Sequence, residues 1–301
     1  MKKLIISIIT TGLYVSTMAQ QTPLYSDYYY NPVLLNPAQA GYVNKFELNL
    51  STFGLFDNFQ GAPRTSSATA NFLTAKNKLG LAIGVLDDEI GVTNTTNVFA
   101  SYAYKIYFKY NSRKAQWWDY NPEVLSFGLS TSALFIREDL LSLNINDDPN
   151  FQRNVNTTVP SFAAGVLFND TNLFIGASIQ NLLAESFADD ALVSIESPIF
   201  LYGGYRFYTT KFKSLRIQPS ILAKFVSGAP AQIDINTSIN YKNKIEVGAG
   251  YRTSQSFNAL IGLYISPKFR ITYNYTAYNN VPFSNTSGFI ISYRTGQAFG
   301  N

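Results

Sequence analysis

Hydrophobic and polar residues alternate one by one along most of the chain after residue 45. In the stretch FRITYNYTAY, at 269–278, aromatic and aliphatic residues take every second position, and polar residues take the positions between them. The stretches IDINTSINY, at 233–241, and KIEVGAGYR, at 244–252, repeat this pattern. A period of two residues is typical of β-strands that have one apolar and one polar surrounding. The chain is therefore predicted to be built from two-faced strands.

Short polar turn sequences separate these runs, as in FND at 168–170, KNK at 242–244 and SPK at 266–268. Their spacing predicts about fourteen strands, and an even number is what a ring of hairpin-connected strands requires. The predicted strands lie near 45–56, 66–75, 78–87, 94–108, 123–136, 159–169, 171–180, 199–209, 214–226, 231–241, 244–252, 257–265, 269–278 and 287–299.

The composition favours a membrane location for these strands. Charged residues make up 14% of the 301 residues and aromatic residues 15%, whereas soluble domains average about 25% charged residues. Strands can cross a membrane only as a closed barrel, because hydrocarbon offers no partner to unpaired backbone groups. The stretches QWWDY, at 116–120, and YGGYRFY, at 202–208, suit the aromatic girdles of such a barrel. The predicted fold class is all-β, a transmembrane antiparallel β-barrel in the bacterial outer membrane.

A secreted β-sandwich is the soluble alternative, since its strands alternate in the same way. Sandwich domains usually take about 100 residues, and no linker rich in Pro, Gly and Ser divides this chain into two or three such units. A single large barrel therefore explains the length better than a row of sandwiches.

The first residues have the organisation of a cleaved secretory signal. Two lysines precede an apolar stretch at 4–15, and small-residue spacing predicts cleavage after Ala19. A membrane anchor is the alternative, but the apolar stretch is shorter than the roughly 20 residues of a spanning helix. The predicted regions are the signal at 1–19, an N-terminal segment at 20–44 and the barrel at 45–301.

The chain has neither histidine nor cysteine. Ser-His-Asp and Cys-His catalytic arrangements therefore cannot form, and a typical zinc site has no ligands. We expect no enzyme, no cofactor and no metal site. The formal charge of +4 includes the two lysines of the signal, and no run of basic residues occurs. Nucleic acid is thus not an expected partner, whereas the lipid bilayer is one.

Three longer inserts, at 109–122, 137–158 and 181–198, are predicted to be extracellular, because outer-membrane barrels carry their long loops outside. The second insert contains NINDDPNFQRN, at 144–154, whose oxygen atoms could bind calcium or simply cap turns. Turn capping is the favoured interpretation. The cluster DDE, at 87–89, is likewise predicted to be a turn between two strands.

The segment YSDYYYNPVLLNPAQAGY, at 25–42, fits neither helix nor strand. Each proline fixes φ, removes an N–H donor and pushes the preceding asparagine toward an extended conformation. Such a segment cannot join a barrel wall, yet its aromatic and aliphatic residues require burial. We predict that it plugs the lumen or lines its mouth, the alternative being a disordered lead-in. The candidate plug or partner-binding residues are Tyr28, Tyr29, Tyr30, Asn31, Pro32, Asn36 and Pro37.

This segment and several later stretches resemble the PorP/SprF proteins of the type IX secretion system. The later stretches are KLGLAIGVLDDEIGVTNTTNVFASYAYKI at 78–106, PSFAAGVLFNDTNLFIGASIQNLL at 160–183, IQPSILAKFVSGAPAQIDINTSI at 217–239 and GYRTSQSFNALIGLYISPKFRITYNYTAY at 250–278. The resemblance implies an outer-membrane barrel that works in secretion and, in some organisms, gliding. Its implied partners are the C-terminal domain of a secreted substrate or adhesin, the type IX translocon and components of the periplasmic motor ring.

A second function is suggested by a similarity to long-chain fatty-acid channels of the FadL type. These combine a fourteen-strand barrel with an N-terminal hatch, and the Asn36-Pro37-Ala38 step is similar to theirs. Under this hypothesis the apolar residues at 33–35 would line the path of a hydrophobic small molecule. The chain also continues for seven residues after Arg294, where PorP/SprF proteins commonly end. We expect either a last strand that reaches Phe299 or a free tail.

Overall fold

The computed structural model describes residues 30–42, 46–55, 61–74, 78–108, 123–145, 147–188, 193–209, 214–253, 256–278 and 285–295. The predicted signal with its cleavage site at Ala19, the candidate residues Tyr28 and Tyr29, and the stretch QWWDY lie outside these residues. No helix in the described part of the chain is long and apolar enough to cross a membrane.

Strands make up most of the described chain after residue 45, as predicted. They are β1 (Phe46–Leu55), β2 (Arg64–Leu73), β3 (Leu79–Ile90), β4 (Thr93–Tyr107), β5 (Val124–Glu138), β6 (Val155–Asn169), β7 (Leu173–Leu182), β8 (Ile199–Tyr205), β9 (Phe207–Tyr208), β10 (Leu215–Phe225), β11 (Gln232–Tyr241), β12 (Ile245–Arg252), β13 (Ser256–Ser266), β14 (Phe269–Tyr278) and β15 (Thr286–Thr295). The described helical turns are four 3-10 helices (Pro32–Leu34, Pro37–Gln39, Leu140–Leu143 and Pro149–Phe151) and one short α-helix, α1 (Ala184–Phe187).

The strands close into an antiparallel barrel. Each strand pairs with its neighbours in the chain, and β1 pairs with β15, so that Leu50 lies opposite Ile291 on the far side of the seam. β8 and β9 share one position between β7 and β10, and the break between them lies opposite Pro219. Proline has no N–H to donate to the ladder, which explains the break. The described strands thus fill fourteen wall positions, and the prediction of a fourteen-strand barrel is confirmed.

The two faces of the wall differ as the alternation predicts. On β12, Glu246 is fully buried, whereas the next residue, Val247, is 44% exposed. Large aliphatic and aromatic side chains are exposed on the outer face of nearly every strand, while Asn, Ser, Thr and charged residues are buried on the inner face. The outside therefore matches lipid and the lumen is polar, as in outer-membrane barrels.

The prediction that all three long inserts lie on one side of the membrane is wrong. β1 begins and β15 ends at the same end of the barrel, which we call the proximal end, and we call the opposite end the distal end. Because successive strands reverse direction, the connections 139–154 and 183–198 lie at the distal end and the connection 108–123 at the proximal end. The prediction used loop length alone, whereas the side on which a connection lies depends on the number of strands that precede it. We assign the distal end to the cell exterior, since outer-membrane barrels carry longer loops there.

Two local predictions are also corrected, and a third lies outside the described residues. The cluster DDE does not form a turn, because Asp87, Asp88 and Glu89 belong to β3, whose pairing with β4 continues to Ile90. The stretch YGGYRFY is not wholly a girdle, because Tyr202 faces the lumen and is 5% exposed, whereas Tyr205 and Phe207 face outward. The last described strand ends at Thr295, and the predicted continuation to Phe299 lies outside the described residues.

The connection between β7 and β8 folds over the distal mouth of the lumen. Ala184 in α1 and Ile195 pack against inward-facing residues of β5 and β6, including Leu134 and Val159. In the connection between β5 and β6, the carboxylate of Asp148 accepts a hydrogen bond from the N–H of Asn150 and caps the 3-10 helix at Pro149–Phe151. This is the turn-capping role expected of an Asp before proline.

Candidate functional site

Residues 30–42, which we call the luminal segment, lie inside the barrel. Its two Asn-Pro steps start two 3-10 helices, with Pro32 and Pro37 at their first positions. Proline suits this position because its fixed φ is helical and its missing N–H would have no partner there. The carbonyl of Asn36's own side chain accepts the N–H of Ala38 at 2.8 Å, which tightens the second turn. The paired Asn-Pro steps thus make a compact, non-strand element.

Asn36 is the most connected residue of the luminal segment. It is fully buried, and its side-chain amide group donates to the carbonyl oxygens of Val166 (3.0 Å) and Ala177 (3.2 Å) and to the hydroxyl of Tyr202 (3.1 Å). Gln39 donates to the same hydroxyl at 2.8 Å. One tyrosine of β8 therefore holds two residues of the luminal segment, and Asn36 connects three strands of the wall.

Inward-facing side chains of the wall satisfy the backbone of the luminal segment. Ser178 and Gln180 of β7 donate to the carbonyl of Leu35 at 2.6 and 2.7 Å. Ser126 of β5 donates to the carbonyl of Ala38 at 2.8 Å. Because a buried carbonyl without a partner costs free energy, these contacts explain how an irregular segment is tolerated at this depth.

Glycines in the wall let the luminal segment approach closely. A Cβ at Gly128 would collide with the backbone of Ala38, one at Gly80 with the carbonyl of Ala40, and one at Gly165 with the side chain of Asn36. Only glycine leaves room where two backbones come this close. The three glycines lie on β3, β5 and β6, so the wall is shaped to this segment over a wide arc.

Apolar contacts complete the packing. Leu35 and Ala38 belong to a cluster with Leu167, Phe174, Phe200, Tyr202 and Leu222, and Val33 and Ala40 to a second cluster with Ala82, Phe99 and Ala103. Fully burying an aliphatic side chain is worth roughly 1.5–3 kcal/mol. The luminal segment is therefore held by hydrophobic burial as well as by hydrogen bonds.

Arginines hold both ends of the luminal segment near the proximal end of the barrel. The guanidinium of Arg270 lies 4.5 Å from the ring centroid of Tyr30 and 5.9 Å from that of Tyr264, and it donates to Ser292 at 2.9 Å. Arg206 donates to the hydroxyl of Tyr42 at 3.0 Å. The segment thus enters and leaves the lumen at the same end, and both points are fixed by a cation on the wall.

The part of the wall formed by β10 to β15 and β1, which also carries Arg270, contains buried ion pairs. Arg252 holds Asp234 with two nitrogens at 2.8–3.0 Å, and Arg294 meets Glu47 at 2.9 Å across the β1–β15 seam. Glu246 accepts a hydrogen bond of 2.6 Å from the hydroxyl of Tyr264. Pairing of this kind is required for charges that are removed from water.

A small pocket, which is partly open to the rest of the lumen, lies on the distal side of the luminal segment. Val33, Leu34 and Pro37 form its floor. Its walls are lined by Leu86, Asn97, Phe99, Ser101, Ser130, Ser132, Ala163 and Gln180. The amide oxygen of Asn97 is buried there and has no hydrogen-bond partner in the described part of the chain. The pocket therefore combines an apolar floor with polar walls.

The structure places five of the seven candidate residues, Tyr30, Asn31, Pro32, Asn36 and Pro37, inside the lumen. Tyr28 and Tyr29 lie outside the described residues. The sequence analysis missed the wall residues that receive the segment, namely Gly80, Gly128, Gly165, Gln180, Tyr202, Arg206 and Arg270. Glycines at inward positions of alternating strands were a usable signal for some of them, because a strand gains nothing from glycine unless another group packs against it.

Comparison with known proteins decides the family. The profile of a family described as "Type IX secretion system membrane protein PorP/SprF" matches residues 17–291. The chain belongs to the PorP/SprF family. The resemblance predicted from the sequence is thereby confirmed, and the protein is an outer-membrane component of type IX secretion. A comparison with curated proteins gives no significant match.

Solved barrels resemble this PorP/SprF protein in fold. The toluene transporter TbuX of Ralstonia pickettii aligns with a TM-score of 0.52 at 11% identity, covering 89% of this chain and 93% of its own. CymD, a monoaromatic hydrocarbon channel, aligns with a TM-score of 0.51 at 10% identity, covering 90% of this chain and 93% of its own. The outer-membrane protein Omp33 of Acinetobacter baumannii gives 0.49 at 11% identity, with 83% and 97% covered.

Proposed function

We propose that this PorP/SprF barrel binds the C-terminal domain of a secreted protein or adhesin and anchors it at the cell surface without any enzymatic step. Family membership supports a role in type IX secretion. The observation that carries the proposal is the luminal segment, which lies in the lumen and hydrogen-bonds to β2, β5, β6, β7 and β8. A segment fixed to the wall in this way is suited to supporting a partner that binds from the distal mouth.

The mechanism is recognition by a preformed surface. Leu34 offers apolar contact at the floor of the distal pocket. The hydroxyl oxygens of Ser101, Ser130 and Ser132, whose protons are already donated within the wall, offer hydrogen-bond acceptors around it. Apolar contact surrounded by polar groups is the usual composition of protein recognition surfaces. In this proposal the luminal segment is the fixed floor against which the partner binds.

The proximal end is the part of the barrel that can meet the rest of the secretion machinery. The start of β1, the end of β15 and the 108–123 connection lie there, on the side that we assign to the periplasm. We propose that the type IX translocon and the periplasmic motor ring contact this end. The two sides of the molecule then bind different partners.

A channel for hydrophobic small molecules is the second candidate. The fold similarity to TbuX and CymD favours it, and Val33, Leu34 and Phe99 give the pocket some apolar lining. The polar side chains that line the same pocket argue for a polar or peptide ligand instead, since an apolar guest would leave their remaining hydrogen-bonding capacity unused.

Purification from the native membrane separates the two candidates. A secreted protein in stoichiometric amount supports anchoring, whereas a barrel alone with a fatty or aromatic ligand supports the channel. A deletion of residues 22–40 tests the segment in the same strain. We expect a barrel that still shifts on heating in gel electrophoresis but no longer retains its partner at the surface. Normal retention by this variant would contradict the role given to the luminal segment.

A further inference from the structure

β6 extends further at the distal end of the barrel than β7, the strand that follows it. β6 pairs with β5 over its whole length, up to the pair of Val155 with Glu138. Its pairing with β7 ends at the pair of Phe162 with Leu182, after a bulge in β7. Within the described residues, 155–161 therefore have a strand on one side only.

The groups that face the open side follow from the turn between β6 and β7. There the N–H of Asp170 donates to the carbonyl of Leu173, so even-numbered residues of β6 face β7. Alternate residues of a strand bond the same neighbour. The open edge thus presents both backbone groups of Asn156 and of Thr158 and the carbonyl of Pro160. Within the described residues, no backbone hydrogen bond joins this edge to 183–188 or 193–198.

Pro160 marks this part of β6 as an edge. Its pairing partner Ala133 lies on β5, and the missing N–H of the proline points away from β5. Within sheets, proline is confined to positions whose N–H would face no neighbouring strand. The sequence is therefore consistent with an edge that the described part of the chain leaves open.

The open edge is held in place and kept out of lipid. Val155 and Val159 are buried on the inner face, where Ala184 and Ile195 cover the neighbouring residues of β5 and β6. On the outer face at this height, side chains such as Asn156 and Arg137 are exposed. Unpaired backbone groups are not tolerated in hydrocarbon but are tolerated where water reaches them. The edge is thus a rigid, hydrated feature at the distal end.

We propose that the secreted partner adds an extended strand to this edge of β6, a proposal that rests on the anchoring function above. Only an extended backbone can satisfy alternating donors and acceptors in this way. The added strand would place apolar side chains beside Val155 and Val159 and polar side chains beside Asn156 and Thr158. Backbone pairing gives affinity with little demand on sequence, and the flanking side chains set the preference.

A second copy of this chain is a poorer occupant. In a two-fold antiparallel pairing centred on Thr158, Pro160 of each copy would face Asn156 of the other. Each proline lacks the N–H that the facing carbonyl needs, so the dimer loses a hydrogen bond on both sides of its centre. A different chain would face only the Pro160 of this barrel, so its pairing would lose one hydrogen bond and not two.

Two substitutions at one position test the edge. Thr158→Pro removes the central N–H of the edge and leaves the pairing with β5 intact, whereas Thr158→Ala removes only an exposed side chain. We expect Thr158→Pro to weaken partner binding about tenfold, the effect of one hydrogen bond left unmade, and Thr158→Ala to bind as the unchanged protein does. Both variants must shift on heating as the unchanged barrel does. Equal binding by the two variants overturns the proposal.

Cross-linking gives a second measurement that does not depend on the proline variant. Because the chain has no cysteine, Thr158→Cys and the control Glu89→Cys, three strands away on β3, carry single reactive thiols. Cross-links from Thr158→Cys, and not from the control, to the secreted protein that co-purifies with this barrel support the proposal. Cross-links to a second copy, or none, overturn it. If that protein is retained without the barrel at all, the anchoring function itself fails.

Discussion

The side-chain amide of Asn36 donates a hydrogen bond to the hydroxyl of Tyr202, 166 positions later in the chain, at 3.1 Å. The bond joins the short irregular segment before the first strand to a strand in the middle of the barrel. It shows that the lumen and the luminal segment are one packed unit, because Tyr202 also receives Gln39 and belongs to the apolar cluster of Leu35.

We predict that Asn36→Ala loosens the luminal segment. The change leaves the Tyr202 hydroxyl and two wall carbonyls without this donor, at a cost of about 2 kcal/mol. Protease cleavage within residues 30–42 of the purified barrel should then be roughly 30-fold faster, since each 1.4 kcal/mol corresponds to a factor of ten. Asn258→Ala is the control, because Asn258 bonds Asn236 on the other wall. Equal cleavage rates in the two variants would contradict the prediction.

We predict that Gly128→Ala displaces the luminal segment without opening the barrel. The new Cβ would collide with the backbone of Ala38, and neither backbone can yield cheaply. Hydrogen exchange should rise at residues 35–40 while the strand amides stay protected. Gly262→Ala is the matched control, since its Cβ would lie 3.4 Å from its nearest neighbour, an ordinary contact. If the amides of residues 35–40 stay protected in both variants, the close approach of Gly128 to Ala38 does not determine where the luminal segment lies.

The cation between two tyrosines gives a third prediction. Arg270→Lys keeps the charge but loses the planar guanidinium that lies beside Tyr30 and Tyr264. We expect a loss of about 1 kcal/mol, seen as roughly fivefold faster exchange at the start of the luminal segment. Lys242→Met removes a similar contact with the exposed Tyr241 and serves as the control. If Lys242→Met speeds hydrogen exchange at the start of the luminal segment as much as Arg270→Lys does, the contact of Arg270 with Tyr30 is not what holds the segment.

The strand parity predicts which connections can be reached from outside the cell. In a chain without cysteine, Asp147→Cys lies in the distal 139–154 connection and Glu123→Cys at the end of the proximal 108–123 connection. A thiol reagent that cannot cross membranes should label the first variant on whole cells and the second only after the outer membrane is permeabilised. Labelling of both on whole cells would refute our assignment of the two ends.

The alternation of the sequence was sufficient to predict the barrel, because a wall between lipid and water imposes one rule on every strand. The stretch FRITYNYTAY is β14 with the bounds that its pattern predicts. The same rule failed at the distal ends of β3 and β6. There the cluster at 87–89 and the residues 155–158 extend strands above the membrane, where the outer face is polar, so the alternation no longer follows the pattern of the membrane-spanning part.

The contents of the lumen were only partly predictable. The prolines of the Asn-Pro steps exclude residues 30–42 from the wall, and that much follows from local chemistry. Which wall residues receive the segment depends on the register of strands far apart in sequence, as for Gly128 and Gln180. Register is fixed by the closed ring as a whole, so no local stretch contains the information.

The seam between β1 and β15 also links ring closure to the position of Tyr30, where the luminal segment begins. The cation that stacks on Tyr30 belongs to β14, and its hydrogen-bond partner Ser292 belongs to β15. A polypeptide still missing its last hairpin therefore has two open sheet edges and a loosely held leading end at once. Both defects disappear together when the final strand is inserted, so closure of the ring and fixing of Tyr30 belong to one step of assembly.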